Sequence, residues 1–495
     1  MRIRSIAFVL GLLVGCLAIC LLLPLSISLL YKEYETAKLF TYSLLTILTI
    51  GLVTSYINKP PKGEKIHLTA RDGVAIVGLC WILATVICAI PYVLVAHVNF
   101  AFGIFEAASG LSTTGASIFS NVEILPKGLL FWRSFTQWLG GLGIIVLSLA
   151  ILPFLGAGGM QLYKAEVSGI SKDKVAPRMI DTARSLWGVY IALTGILWIL
   201  LYFQGMSSFD AINHALPTLA TGGFSTKNAS LAAFSPLNQW TIIVFMYLGS
   251  INFTLHFLFL HSGVKKYFEN EEFIYYTIFL LAGICIIAGH LYFDDTKAQS
   301  LMGEPAVPYT IERAFRDSAF QLISITTTTG FVTADYLNWP VFTQVLILVY
   351  MMCGGCGGST AGGIKFMRIL IIFKLIRNEL NRLTHPQAVE RIKINHVSIE
   401  PTAIRGVTTF FAIFFISIFI GTLILTATGL DIITSFSAVI TCFSNSGPGL
   451  GLVGPAYNFS FLSEFNLTIL SAYMIFGRLE IFTFLLLFMP KFWRL

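Results

Sequence analysis

The sequence predicts an all-α polytopic membrane protein made of four similar repeats behind an N-terminal hairpin of two helices. Composition predicts the membrane location: 56% of the 495 residues are hydrophobic and only 12% are charged, whereas a soluble chain carries about 25% charged residues. Apolar runs near the length that spans a bilayer recur along the whole chain. A short Thr/Gly stretch also returns four times, each time between two such runs, which predicts the repeats.

The hairpin and the repeats divide nearly the whole chain. The hairpin covers residues 1–57; its first apolar run follows basic residues but lacks an Ala-x-Ala cleavage site, so we predict an uncleaved helix. The predicted repeats cover residues 74–152, 181–261, 273–380 and 400–490. The predicted incoming spans are Val74–Val95, Leu186–Phe203, Phe273–Phe293 and Val407–Thr428. The predicted outgoing spans are Gly128–Leu152, Trp240–Leu260, Val341–Ile376 and Phe465–Met489, giving about ten spans in all.

The returning stretch lies near the middle of each repeat. Its central glycines recur at an interval of roughly 110 residues, and self-similarity at a fixed period marks repeat architectures. These glycines are Gly115, Gly222, Gly330 and Gly447. A short helix-like run precedes each copy, and in three copies we expect an aspartate to cap its N-terminus, namely Asp210, Asp317 and Asp431. In the first copy Glu106 lies too late in the run for this role.

Basic residues set the predicted orientation. With a cytoplasmic N-terminus and alternating spans, most of the 32 Lys and Arg residues fall on the inner side, as the positive-inside rule requires. All four Thr/Gly stretches then enter from the outer face. The net charge of +7 is explained by membrane topology, so we expect no nucleic-acid partner.

The Thr/Gly stretches have the chemistry of a site for a dehydrated monovalent cation. A short helix that stops inside the membrane presents its negative dipole end there, and irregular backbone at that depth must line a cavity or be buried in protein. Glycine lets carbonyl groups turn toward an axis, Thr and Ser add hydroxyl oxygens, and no copy contains a carboxylate. The sequence therefore predicts membrane–pore-loop–membrane repeats around one pore. An ordinary interhelical turn is the alternative, and Asn445-Ser446 makes the fourth copy irregular.

Two further features lie in outgoing spans. Six glycines interrupt the third repeat at residues 353–365, and glycine costs about 1 kcal/mol in a helix interior, so we predict a broken helix that serves as a gate. Close helix packing is the alternative; a phosphate loop or a functional Cys353–Cys356 dithiol is disfavoured. Arg478 lies in the last span, where we expect it to face the pore, with an ion pair to Glu480 as the alternative.

Taken together, these residues resemble the superfamily of K⁺ transporters, and within it the Trk-type (TrkH) K⁺ uptake membrane subunits more than the shorter KtrB type. The extra N-terminal hairpin supports this choice. Five motifs also support it: Gly158–Tyr163, Gly222–Thr226, Gly357–Thr360, Gly447–Gly451 and Phe476–Glu480.

The resemblance implies roles for two sets of residues. Backbone oxygens leading into each glycine would bind K⁺ as a selectivity filter, while the glycine-rich stretch would be an intramembrane gating loop and Arg478 the pore arginine. The implied K⁺-binding set is Thr113, Thr114, Gly115, Ala220, Thr221, Gly222, Thr328, Thr329, Gly330, Asn445, Ser446 and Gly447. The implied gate residues are Gly354, Gly355, Gly357, Gly358, Gly362, Gly363, Lys365 and Arg478.

The resemblance also implies partners and a location. It implies a homodimer with one pore per subunit in the bacterial inner (cytoplasmic) membrane, docked to a cytosolic TrkA-type ring of nucleotide-binding domains. K⁺ would be the transported ion. We expect no cofactor on this chain and a nucleotide, NAD(H) or ATP/ADP, on the partner. The basic segments Lys164–Arg184 and Lys365–Arg405 are the expected docking surface.

Three alternative functions stay open. A secondary active K⁺ symporter coupled to H⁺ or Na⁺ would be expected to hold carboxylates at mid-membrane, where the sequence offers only Glu480 deep in a span. A membrane-embedded enzyme would need convergent catalytic side chains, and no such motif is found in the sequence. A structural subunit would keep the four repeats without conducting ions.

Overall fold

The computed structural model describes residues 3–59, 69–151, 175–294, 296–299, 301–302, 305–386 and 391–493. The described chain is helical apart from two short antiparallel ribbons, Lys297–Ala298 with Val307–Pro308 (β1, β2) and Lys393–Ile394 with Val397–Ser398 (β3, β4). This confirms the predicted all-α membrane class, because six described helices are long and apolar enough to cross a bilayer.

The N-terminal hairpin consists of α1 (Ile3–Cys20), α2 (Leu22–Leu30) and α3 (Tyr34–Ile57). Helices α1 and α2 together form one apolar span. A Cβ atom built on Gly51 would lie 2.7 Å from the backbone nitrogen of Gly15, so small residues allow the two arms to approach closely. The hairpin joins the first repeat through Glu33, whose carboxylate accepts the N–H groups of Lys127 and Gly128 at 2.7 and 3.1 Å.

Each predicted repeat contains an incoming helix, a short helix and an outgoing helix. The incoming helices are α4 (Ala70–Val95), α7 (Val175–Phe203), α12 (Glu271–Phe293) and α16 (Pro401–Ala427). The short helices are α5 (Phe100–Leu111), α8 (Ser208–Ala220), α13 (Ile311–Thr326) and α17 (Ile432–Ser444). The outgoing helices are α6 (Lys127–Ile151), α9 with α10 (Pro236–Ser250, Phe253–Ser262), α14 with α15 (Val341–Met352, Phe366–Thr384) and α18 with α19 (Glu464–Arg478, Phe482–Leu487). Two four-residue helices remain: α11 (Lys265–Phe268) and α20 (Pro490–Trp493).

Three of the four outgoing helices are broken, and the sequence predicted only the break in the third repeat. The predicted span Trp240–Leu260 is bent, because α9 and α10 meet at 97° where Asn252 caps α10 by accepting the Thr254 N–H at 2.8 Å. The predicted span Phe465–Met489 is also interrupted. There, Glu480 and Ile481 both have positive φ, of 55° and 60°, which ends the helix.

Glycines bring the outgoing helices against the ends of the short helices. Gly140, Gly249 and Gly477 each face a carbonyl of the last or second-last residue of the short helix in their own repeat, so a Cβ atom at these positions would contact that carbonyl oxygen. The carbonyls belong to Leu111, Leu219 and Phe443, in that order. The contact holds the carbonyl ends of α5, α8 and α17 deep in the protein, where nearly all neighbouring residues are buried.

The caps of the short helices agree only in part with the prediction. Asp431 is the N-cap of α17 and accepts the Thr434 N–H at 2.9 Å, which holds its pKa below the ordinary value. Helix α8 is capped by Ser207, and Asp210 lies in its first turn. The expectation for Asp317 is wrong: Thr310 caps α13, and Asp317 lies two turns inside it, 3.6 Å from Arg313.

Candidate functional site

The four Thr/Gly segments share one backbone conformation. Each segment contains a run of three residues that begins one or two positions after the short helix. The first residue has positive φ, the second does not, and the third is a glycine with positive φ. The first of these residues are Thr113 (58°), Thr221 (54°), Thr328 (57°) and Asn445 (60°). The glycines are Gly115 (82°), Gly223 (81°), Gly330 (82°) and Gly447 (88°). Alternation between left-handed and ordinary conformations turns successive carbonyls to one side, as an oxygen-lined axis requires.

Gly223, and not Gly222, is therefore the second-repeat equivalent of Gly115. Backbone hydrogen bonds support the same alignment, because the residue before the glycine donates to the carbonyl five positions earlier in all four segments. The bonds are Thr114 to Ser109 (2.9 Å), Gly222 to Pro217 (2.8 Å), Thr329 to Ser324 (2.8 Å) and Ser446 to Thr441 (2.9 Å). The predicted alignment was shifted by one residue because two adjacent glycines follow Thr221. Ala220 accordingly matches Ser112 and ends its helix.

The four glycines meet one another around a closed ring. A Cβ atom built on Gly330 would lie 2.6 Å from the carbonyl oxygen of Ser446, and one on Gly447 would lie 2.7 Å from that of Thr114. A Cβ atom built on Gly115 would likewise contact the carbonyl oxygen of Gly222, and one built on Gly223 would contact the carbonyl oxygen of Thr329. Each repeat thus touches the next, and the fourth touches the first. A side chain at any of these glycines would displace a carbonyl oxygen of its neighbour.

A cavity of about 150 Å³ opens on one side of this ring. All four positive-φ glycines line it, together with the residues that follow them. Its charged lining residues in the described part of the chain are Arg133 and Lys227. Arg133 is buried and paired with Glu106 at 2.8 Å, whereas Lys227 is partly exposed and lies 3.8 Å from Glu123. No carboxylate lines this cavity among the described residues.

The irregular fourth segment is integrated through its asparagine. Asn445 Nδ2 donates to Thr114 Oγ1 at 3.0 Å and to the Met474 carbonyl at 2.9 Å. Asparagine adopts the left-handed conformation more readily than threonine does, so the substitution suits this position. Asn445 and Ser446 are fully buried, as are Thr113, Thr114, Thr328 and Thr329. The ring thus consists of uncharged oxygen-bearing residues, and its oxygens are the hard ligands that an alkali cation requires.

The glycine-rich stretch forms a folded loop against the other side of the ring. Its two ends pair, since Gly354 N–H donates to the Ile364 carbonyl at 2.9 Å and Ile364 N–H donates to Met352 at 3.1 Å. Gly362 N–H donates to Thr328 Oγ1 at 2.6 Å, and Thr360 Oγ1 lies 2.9 Å from the Leu219 carbonyl oxygen. The loop therefore contacts the residues that precede the glycines, opposite the cavity.

The predicted gate glycines all lie in this loop. A Cβ atom on Gly355 would lie 2.7 Å from the Ser250 carbonyl, and Gly358 and Gly363 have φ of 70° and 64°. Gly354 and Gly362 face each other across the loop, and the Gly357 N–H points to Glu272. Close packing explains several of these glycines directly, so the loop is tightly packed against the ring.

Lys365 and Arg478 both donate to loop carbonyls. Lys365 is 9% exposed and its Nζ donates to the Ala361 carbonyl. Arg478 is 2% exposed and its Nη1 donates to the Thr360 carbonyl at 2.8 Å, while its Nε and Nη2 have no hydrogen-bond partner among the described residues. The alternative Arg478–Glu480 pair is absent from the described chain, and Glu480 pairs with Arg368.

Sequence reasoning missed the side chains that hold the ring and the loop in place. Glu272 is buried and its Oε1 accepts the N–H groups of Gly357 at 2.8 Å and Met367 at 2.9 Å, which ties the loop to α12. Gln137 binds two backbone groups of the second Thr/Gly segment. Gln137 follows Thr136, and Glu272 follows Asn270 and Glu271, so their sequence neighbours carry no signal that could have identified them. Among the described residues, no cluster of His, Cys, Asp and Glu could hold a metal ion.

Comparison with known proteins gives a consistent result over the full chain. A family model described as TrkH, cation transport protein, matches residues 43–495. The chain is 40% identical to the Trk system potassium uptake protein TrkH of Escherichia coli K12, over 100% of both chains. It is 34% identical to the Trk system potassium uptake protein TrkG of the same strain, over 100% of this chain and 99% of the relative.

Solved structures agree with these relatives. The crystal structure of the potassium transporter TrkH from Vibrio parahaemolyticus matches with a TM-score of 0.88 and 35% identity, and the match covers 100% of both chains. These relatives are all named as transporters, and none as an enzyme.

Proposed function

Because the chain belongs to the TrkH family of cation transport proteins, we propose that it takes up K⁺ across the inner membrane of a bacterium. The K⁺ ion would pass through the ring of four Thr/Gly segments, which would act as the selectivity filter. The chain is a multi-pass membrane transporter, not an enzyme.

The closed ring of glycines is the observation that carries this proposal. Four segments from four parts of the chain adopt the same alternating backbone and touch in cyclic order. A dehydrated cation needs oxygen ligands from several directions, and a closed ring of carbonyl and hydroxyl oxygens supplies them. The carbonyl ends of the four short helices converge on the same place and add a favourable negative potential. In this proposal the second segment contributes Thr221, Gly222 and Gly223.

The glycine-rich loop is proposed as the gate. It is wedged against the ring through Gly362 and Thr328, and it is tied in place by Glu272 and Arg478. Arg478 brings a positive charge close to the axis, and such a charge raises the energy of a cation passing nearby. Moving the loop would remove both the physical block and this charge from the path. The described conformation is therefore assigned to a closed pore.

The regulatory partner is proposed from family membership. A cytosolic nucleotide-binding subunit of the TrkA type would dock on the inner surface, and two copies of this chain would form a dimer. The segment 365–405 includes α15, whose exposed basic side chains suit an acidic partner. Residues 164–174 of the other predicted docking segment, 164–184, lie outside the described residues. We expect any nucleotide to bind the partner.

Coupled symport remains the competing proposal within transport. The structure contains buried acids that the sequence analysis did not count, notably Glu106 and Glu272. Each is engaged by protein groups, since Glu106 pairs with Arg133 and Glu272 accepts two backbone N–H groups. Neither lies in the ring, so uptake through a gated pore is the proposal that the geometry favours.

Replacing a ring glycine tests the filter. We expect Gly115→Ser to lower the K⁺/Na⁺ selectivity by roughly tenfold or more, because the new side chain would displace the Gly222 carbonyl. The measurement is ⁸⁶Rb⁺ uptake into cells that lack their own K⁺ uptake systems, with Na⁺ as competitor. Gly289→Ser is the matched control, since a Cβ atom there meets nothing within 4 Å. An unchanged selectivity in folded Gly115→Ser protein would refute the filter assignment.

A further inference from the structure

We propose that Gln137 is a specificity-determining residue, which braces the second filter segment from the neighbouring repeat. The inference rests on the proposed function, because it takes the Thr/Gly ring to be the filter. Gln137 lies on α6, the outgoing helix of the first repeat, and it is fully buried. Its amide reaches across the boundary between the first and second repeats.

The amide of Gln137 holds the segment at two points. Its Nε2 donates to the carbonyl oxygen of Gly222, and its Oε1 accepts the N–H of Phe224 at 3.0 Å. A carbonyl can only accept and an N–H can only donate, so these two partners determine the orientation of the amide. The two bonds lie on either side of Gly223, the residue that faces the ring.

The outgoing helices of the first, second and fourth repeats can be compared at the position of Gln137, and only the first has a glutamine there. Gly140, Gly249 and Gly477 make the same contact with the end of a short helix. Three residues before each of them stand Gln137, Met246 and Met474, and all three side chains are fully buried. A buried amide is costly unless it is hydrogen-bonded, so the polar choice in the first repeat is explained by its partners in the second.

The second segment lacks the internal brace that two other segments contain. Ser112 Oγ lies 2.7 Å from Thr114 Oγ1, and Thr327 Oγ1 lies 2.7 Å from Thr329 Oγ1. The equivalent of Thr114 and Thr329 is Gly222, which has no hydroxyl group. A Cβ atom on Gly222 would lie 2.5 Å from Gln137 Cδ. The glutamine thus occupies the space of the missing side chain and replaces its hydrogen bond.

This brace is placed to affect ion discrimination. A carbonyl oxygen has two lone pairs, so the bond from Gln137 leaves one lone pair of the Gly222 oxygen for an ion. The pair Gly222-Gly223 is the most flexible backbone in the ring, because glycine has no Cβ atom. Without the brace, we expect the segment to adapt to the smaller Na⁺ ion more easily, which would lower selectivity while K⁺ still binds.

The test uses ion binding, which does not require an open gate because the cavity reaches the ring directly. For the purified full chain in detergent, the rise in melting temperature with K⁺ or Na⁺ yields an apparent affinity for each ion. We expect Gln137→Met, the residue found in two other repeats, to lower the K⁺/Na⁺ affinity ratio by roughly fivefold to tenfold, the effect of losing a buried hydrogen bond. Gly222→Thr should lower the ratio too, because its side chain collides with Gln137.

The double variant Gln137→Ala/Gly222→Thr provides the sharper test. Removing the glutamine makes room for the threonine, whose Cβ atom then restricts the flexible Gly222-Gly223 backbone in place of the lost brace. The hydroxyl pair of the first and third segments cannot form, because Ala220 stands where those segments have Ser112 and Thr327. The ratio should therefore recover above that of Gly222→Thr. Gln239→Met is the matched control. It removes bonds of 3.1 and 3.2 Å to the Leu231 and Phe234 carbonyls outside the ring, so it should lower the melting temperature and leave the ratio unchanged.

The outcomes separate this inference from the filter itself. An unchanged ratio in Gln137→Met, together with a lowered ratio in Gly115→Ser, would overturn the brace and leave the filter intact. Unchanged ratios in both variants would overturn the filter. If Gln137→Met does not fold, Gln137→Leu and the double variant decide, and a double variant no better than Gly222→Thr would overturn the brace.

Discussion

Arg478 has an environment that packing alone does not explain. Its guanidinium group is buried, yet among the described residues only Nη1 has a partner, the Thr360 carbonyl. Leaving donor groups of a charged side chain unpaired in the interior is costly, so such residues in membrane proteins usually serve a function. The contact with Thr360 links the charge to the loop that covers the ring.

We expect Arg478→Ala to raise ion flux several-fold, because it removes both a positive charge near the axis and an anchor of the loop. The measurement is ⁸⁶Rb⁺ flux through liposomes that hold the purified variant without its partner. Arg478→Lys should give a smaller increase, since it keeps the charge and loses the planar donor group. Arg382→Ala, an exposed site on α15, is the control. Unchanged flux in folded Arg478→Ala would remove this residue from the pore.

At the residue scale, the sequence predicted residue types better than residue partners. The repeated Thr and Gly residues identified the ring because their pattern returns along the chain. Gln137 and Glu272 contact residues 85 or more positions away in sequence, and nothing local distinguishes them from a helix surface residue or a helix cap. The choice between Gly222 and Gly223 was also undetermined, because both residues can adopt positive φ.

The loop between α14 and α15 is the element on which the gating proposal depends. It is buried along most of its length, and it contacts the ring, α9 and α12 through hydrogen bonds. The hydrogen bonds to the ring hold the loop in place, while the glycines of the loop allow a change of backbone conformation without side-chain clashes. The gating proposal requires a second position of this loop, away from the ring.

We expect a deletion within Gly354–Gly363 to leave the pore leaky without its partner, because a shortened loop cannot reach Thr328. The measurement is ⁸⁶Rb⁺ flux into liposomes, compared with the flux of the unsubstituted protein at the same amount of protein per liposome. Glu272→Ala should act in the same direction without any deletion, since it releases the Gly357 and Met367 N–H groups. A folded deletion variant that stays closed would show that the loop only packs and does not gate.

At the element scale, breaks caused by glycine were predictable and breaks caused by other residues were not. Six glycines in one stretch indicated the interruption after α14. The bend at Asn252 and the positive-φ pair Glu480-Ile481 involve residues that are also found in straight helices, so apolar length alone could not predict these breaks. The misassigned Asp317 has the same cause: an acidic residue near a helix start indicates a cap only if the start is known.

The whole molecule is organised by the cyclic contact among its four repeats. Composition and the interval between repeats were enough to predict the membrane class and the number of Thr/Gly segments. Their closure into one ring could not be read from the chain, because it depends on contacts between residues such as Gly447 and Thr114 that lie far apart in sequence. The short Asn445 side chain, which looked like a departure from the pattern, joins the last repeat to the first.

The central claim is that this ring conducts K⁺ selectively, and one measurement tests it most directly. Purified full-length protein is reconstituted into liposomes, with and without a TrkA-type partner and nucleotide, and ⁸⁶Rb⁺ uptake is followed with K⁺, Na⁺ or Li⁺ as competitor. We predict uptake that K⁺ competes away and Na⁺ and Li⁺ do not, and that the partner with nucleotide increases. Absence of ⁸⁶Rb⁺ uptake under every condition, or equal competition by all three ions, would contradict the account.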